Sequence, residues 1–156
     1  MKVNAKARFN PGNLGPAQFA ERTATILRQY DKVIFPAFKD EIRAVQYNWP
    51  RPTRRSRGQV VTSPRDIVDT GAFIRSQIRK TTGPQSLELA YSWGGGRYGV
   101  NYAGIILAGI PERGYPGRDW IKPALDKHPL DAFFIAAWRQ LSSKQKKPPG
   151  PLQTKG

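Results

Sequence analysis

"PAQFAERTATILRQYDKVIFPAFKDEIRAVQYNW", from Pro16 to Trp49, decides the fold. Phe19, Thr23, Ile26, Leu27, Tyr30, Val33, Ile34, Ala37, Phe38, Ile42 and Val45 recur at spacings of three and four. That period places them on one face of a long amphipathic helix. Pro16 suits its first turn, where a missing N–H is not needed. Pro36 falls inside the pattern and predicts a kink or a division there. A helix of this length must lay its apolar face on something, and the rest of the chain supplies strands and short helices.

On the N-terminal side, "MKVNAKARF" (Met1–Phe9) alternates strictly, with Met1, Val3, Ala5, Ala7 and Phe9 on one face. This predicts a half-buried strand, and its lysines suit a sheet edge. "NPGNLGP" (Asn10–Pro16) is turn chemistry. On the C-terminal side, "WPRPTRRSRGQVVTSPRD" (Trp49–Asp66) predicts a long basic loop over residues 50–65. "SQIRKTT" (Ser76–Thr82), Gly83-Pro84 and "QSLELAYSW" (Gln85–Trp93) predict a β-hairpin. "GGGRYG" (Gly94–Gly99) interrupts it, and "VNYAGIILAGI" (Val100–Ile110) is apolar and fits either a strand or a helix. "PERGYPGRD" (Pro111–Asp119) is loop. "WIKPAL" (Trp120–Leu125) opens a short helix, and "HPLDAFFIAAWRQLSSKQ" (His128–Gln145) predicts a C-terminal one. Residues 1–143 form one domain on this reading, and 144–156 form an extended Lys/Pro-rich tail with Lys144, Lys146 and Lys147.

The chain has 156 residues, an apolar fraction of 38%, and a net charge of +15. Such a charge favours an anionic partner: nucleic acid, an acidic protein rim or a membrane surface. With no cysteine there are no disulfides and no thiol chemistry. No apolar run reaches membrane-span length, and "MKVNAKARF" lacks the apolar core of a signal peptide, so synthesis in the cytoplasm with no membrane partner is expected.

"IVDTGA" (Ile67–Ala72) resembles the catalytic loop of aspartic proteases. That chemistry needs two carboxylates sharing a proton, hence a homodimer here. Arg65, Arg75 and Arg79 would surround Asp69 with positive charge and keep it ionised, which opposes proton sharing. The structural alternative is that Asp69 or Thr70 caps a short helix containing Phe73 and Ile74, with Gly71 easing the turn. "GGGRYG" lacks the Lys-Ser/Thr ending of a phosphate-binding loop. His128 is the only histidine, so neither a transition-metal set nor a Ser/His/Asp triad is expected. No cofactor and no catalytic residue are expected.

The basic loop is the strongest chemical signal. Arg51, Arg54, Arg55 and Arg57 can contact phosphates or a carboxylate-rich surface. Trp49 beside it could stack on a base or anchor the helix end. Lys144, Lys146 and Lys147 form a second, weaker basic cluster.

Order adds to these single signals. The long helix leads through the loop to "VDTGAFIRSQI" (Val68–Ile78), then the hairpin, "NYAGIILAG" (Asn101–Gly109) and "GYPGRDWIKPAL" (Gly114–Leu125). This series resembles the small neck proteins of tailed bacteriophages, of the head–tail joining or tail-completion type. Two departures stand out: Ala108, where an acidic residue or histidine often precedes the closing glycine, and Asp119, where proline is common. The resemblance implies an α+β subunit, a small, mostly antiparallel sheet packed against the long N-terminal helix, with a C-terminal helix. Asp69, Thr70, Gly71, Tyr102, Gly109, Arg118, Trp120 and Pro123 would be its structural motif residues. Trp120 and Leu125 would pack under the sheet, and Pro123 would set the short helix between them. It further implies a virion protein assembled in the host cytoplasm, a homo-oligomeric ring (hexamer or dodecamer) at the neck. Its partners would be an adaptor, stopper, terminator or tube protein, with DNA in the channel. The reading from a different class is a small basic nucleic-acid-binding protein.

Overall fold

The long helix α1 spans Pro16–Arg43. Gly15 is extended ahead of it, and its carbonyl accepts the N–H of Phe19 at 3.0 Å, so the first turn closes with Pro16 inside it. Leu27, Tyr30, Ile34, Ala37, Phe38 and Ile42 are buried along the expected face. Pro36 does not divide the helix, and it lies on the exposed side. The end differs from expectation: α1 stops at Arg43 rather than near Trp49. Ala44 is extended, and Tyr47 exchanges backbone hydrogen bonds with Arg65 (3.0 and 2.9 Å). Pairing with the loop has taken these residues from the helix, and it leaves Val45 65% exposed.

The computed structural model describes residues 2–5, 14–79, 87–94 and 102–145. Strand β1 is Lys2–Ala5, within the predicted Met1–Phe9; residues 6–9 lie outside the described residues. Two short strands, β2 (Thr53–Arg54) and β3 (Val60–Val61), pair with each other. Helix α2 is Ala72–Arg75, followed by β4 (Gln77–Arg79) and β5 (Leu89–Trp93). The main sheet has the order β1-β5-β4, all antiparallel, with Lys2 opposite Ser92 and Gln77 opposite Trp93. The hairpin pairing of β4 with β5 is as expected, and β1 takes an edge. The "GGGRYG" segment beyond Gly94 and the Gly83-Pro84 turn lie outside the described residues.

"VNYAGIILAGI" resolves as helix α3, Tyr102–Ala108. It ends because Gly109 turns to φ +75° and packs against the chain that returns through Tyr115 and Gly117. A Cβ on Gly109 would stand 2.4 Å from the Tyr115 carbonyl oxygen. A single 3-10 turn (Pro111–Arg113) leads on to helix α4, Ile121–Lys127, and helix α5, Leu130–Gln145. The Asp119 carboxylate accepts the N–H groups of Ile121 and Lys122 (2.8 and 3.0 Å). It thereby satisfies donors at the start of α4 that lack helical partners. His128 closes α4, and its carbonyl accepts the Tyr30 hydroxyl at 2.6 Å, tying the α4–α5 corner to α1.

The core joins α1 to the sheet and the short helices. Phe38 meets Tyr91 and Trp93 of β5 edge-on, both at 5.3 Å. Trp120 is fully buried and meets Phe73 and Trp93 edge-on at 5.0 and 5.4 Å. Each such pair adds about 0.5–1.5 kcal/mol beyond the area it buries. A smaller cluster of Ile26, Phe134, Ala137 and Trp138 holds α5 on α1. The fold is thus α+β, small antiparallel sheets against a long helix.

Candidate docking surface

Residues 50–65 contain a tight ribbon where a plain loop was expected. Thr53 faces Val61 and Arg54 faces Val60. The ribbon turns through Arg55–Gln59: Arg55 donates its N–H to the Gln59 carbonyl, and Gly58 donates to Arg55, both at 2.8 Å. Strands of two residues are too short to show a period in sequence.

Side chains fasten the ribbon to the body. The Arg55 guanidinium pairs with Asp66, and both side chains are about four-fifths covered. The Ser56 N–H donates to Asp69 at 2.9 Å, and its hydroxyl donates to the same carboxylate. Arg65 donates to the Thr53 hydroxyl, and the Trp49 N–H donates to the Ser63 hydroxyl at 3.0 Å. Arg55, expected to meet a partner or DNA, is therefore committed within the chain. Arg51, Arg54 and Arg57 are exposed.

Asp69 is the hinge of this attachment and caps nothing. Helix α2 starts at Ala72, and Gly71, at φ +76°, stands at the cap position expected of Asp69 or Thr70. The Thr70 hydroxyl accepts the Ala72 N–H at 3.3 Å. Hydrogen bonds from Ser56, then the charges of Arg55 and Arg65, hold the Asp69 carboxyl below its ordinary range. Of the three arginines expected around Asp69, only Arg65 acts on it. Arg75 donates to the Thr70 carbonyl at 3.3 Å, and Arg79 pairs with Asp31 at 2.7 Å. Asp66 is taken up by Arg55 and by the Val68 N–H.

Asp69, Thr70, Gly71 and Tyr102 line one hollow of about 820 Å³, with Phe73 and Ile74. Tyr102 begins α3, 42% exposed, and meets Phe73 edge-on at 5.9 Å. Gly109, Trp120 and Pro123 lie apart from it: Gly109 ends α3, Trp120 is core and Pro123 sits half-buried in the first turn of α4. Leu125 is half-buried against the core. Lys144 belongs to the last turn of α5, so the helix runs past the expected start of the tail at residue 144. Lys146 and Lys147 lie outside the described residues.

The most unusual grouping surrounds Trp49. Tyr115 stacks on its ring at 4.8 Å and 15°. The guanidinium carbons of Arg118 and Arg65 lie 4.0 and 4.6 Å from its ring centroid, and Arg51 stands 5.9 Å over Tyr115. Arg118 is only 9% exposed. Burial and the like charge of Arg65 lower its basicity; burial, then Arg55, lowers that of Arg65. An apolar groove of about 440 Å³ runs beside them, between Trp49–Pro50 and Pro111, Tyr115 and Pro116. Sequence reasoning placed Arg118 in a motif and Arg65 beside Asp69, and it did not join them. Trp49, flagged for stacking, was the only pointer, since the group comes from three separate segments.

Comparisons with known protein families, curated proteins and solved structures find no significant match to this chain.

Proposed function

We propose that this chain is a non-enzymatic structural subunit of a tailed-phage neck, forming a ring that joins the DNA-filled head to the tail. The observation that carries this is the coherence of the motif series: its glycine, tryptophan and Asp-Thr-Gly positions each do structural work. Gly71 opens α2, Gly109 ends α3, Trp120 centres the core, and Asp69 anchors the basic ribbon. A ring of such subunits presents a different surface to each neighbour. Arg51, Arg54 and Arg57, each exposed, then offer positive charge to an adaptor, stopper, terminator or tube protein.

A second reading, a small basic nucleic-acid-binding protein, draws on the charge of +15 and the same exposed arginines. Electron microscopy of a lysate in which the gene is silenced separates the two. A neck subunit predicts free DNA-filled heads beside finished tails. Normally joined particles would remove the neck and leave the nucleic-acid binder.

A further inference from the structure

We infer that Arg65 and Arg118, packed on Trp49, form a receptor for a carboxylate side chain on an acidic, partly apolar segment of another protein. The segment's apolar side chain would seat in the groove between Trp49–Pro50 and Pro111–Pro116.

Arg118 is nine-tenths buried, yet it stands in no ion pair among the described residues. The Nε atoms of Arg118 and Arg65 and the Nε1 of Trp49 are all buried without an acceptor among those residues. Burying a cation without a counter-ion is costly, and a second cation alongside raises that cost. Stacking on the indole recovers only a part of it. Asp66 and Asp69 act on Arg65 across space while bonded to Arg55 and Ser56, Asp119 holds the N–H groups of α4, and Arg118 has no carboxylate acting on it. Tyr47 and Tyr102 also lie close, but a phenol is neutral near pH 7 and supplies no counter-charge.

The occupant is identified by what surrounds the arginines. Guanidinium forks match a carboxylate in plane and spacing. A second copy of this chain is a poor donor, with 26 Lys and Arg against 11 Asp and Glu. A nucleic acid is disfavoured by the groove, which offers prolines and aromatic rings where a phosphodiester would need donors. An acidic segment with an apolar neighbour satisfies both halves of the surface at once. Arg51 at the mouth would add long-range attraction.

The test is an NMR titration of the full chain, following the indole N–H of Trp49 and the Nε–H of Arg118. Three probes are added separately: a capped peptide of alternating glutamate and leucine, inorganic phosphate, and a short oligothymidylate. The peptide is expected to shift both resonances saturably, and Arg65→Gln to weaken it at least about tenfold. Lys32→Gln, on the exposed side of α1, should leave the affinity unchanged. Arg65→Gln serves as the main variant because Arg118→Gln alters a buried position. Oligothymidylate or phosphate moving the same resonances at lower concentration than the peptide would overturn the inference. So would peptide affinity undiminished in Arg65→Gln, or no shift at all. The site would serve any assembly, so a failed titration leaves the neck proposal standing, and joined particles in the silenced lysate leave the receptor standing.

Discussion

Trp120 and Trp49 belong to the same small body and live in opposite surroundings. Trp120 is sealed among Phe73 and Trp93, three rings meeting edge to face with no charge between them. Trp49 stays half-exposed, with a parallel tyrosine and two guanidiniums on its ring. The first arrangement lowers the free energy of the isolated subunit. The second holds positive charge where the isolated subunit gains little from it. The difference teaches where folding ends and recognition begins: aromatic area is spent on stability in one place and on positioning cations in the other.

Substitutions can break or sharpen that contrast. Trp120→Ala should cost about 3–5 kcal/mol, read by denaturant unfolding, as large core truncations do. A wild-type midpoint would show that Trp120 is not core. Arg55→Ala should cost about 1 kcal/mol and open the ribbon to proteolysis within residues 50–65, because it strips the largely covered Asp66 of its partner. An unchanged cleavage rate would mean that the ribbon is held without this pair.

Arg118→Met should behave in the reverse sense, leaving stability unchanged or raising it by about 1 kcal/mol, since it removes an uncompensated buried charge while keeping apolar contact with Trp49. A large loss would place Arg118 with the core and erase the contrast. The smallest effect concerns Asp69. Its folded pKa lies below its ordinary value of 3.8, so its contribution is present above that value and is lost as pH falls through the folded pKa. The stability difference between the wild type and Asp69→Asn should therefore shrink in strong acid. A gap that widens on acidification would contradict the sign.

Much of this was legible in the chain. The face of α1 could be read because its contacts repeat locally, from Leu27 to Ile42. Its end could not, because a long-range pairing of Tyr47 with Arg65 stops it, and no local residue signals that. α3 was ambiguous for the same reason: an apolar run fits a strand or a helix until the backbone approach at Gly109 fixes its cap. Asp119, legible only as a departure from a pattern, proved to hold the N–H groups that open α4. The basic loop was visible as charge, but charge alone did not show that Arg55 is turned inward to Asp66 while Arg51, Arg54 and Arg57 face out. The Arg65–Trp49–Arg118 group is a product of folding and has no sequence spacing to read.

The measurement that tests the central claim most directly is particle incorporation of Arg51→Gln/Arg54→Gln/Arg57→Gln, supplied to a lysate in which the wild-type gene is silenced. These exposed changes should leave the melting temperature within the shift of about 0.5 kcal/mol typical of surface positions. The variant is predicted to be folded yet depleted from purified particles, with heads and tails unjoined. Normal incorporation of the folded variant would contradict the assignment of this face to docking.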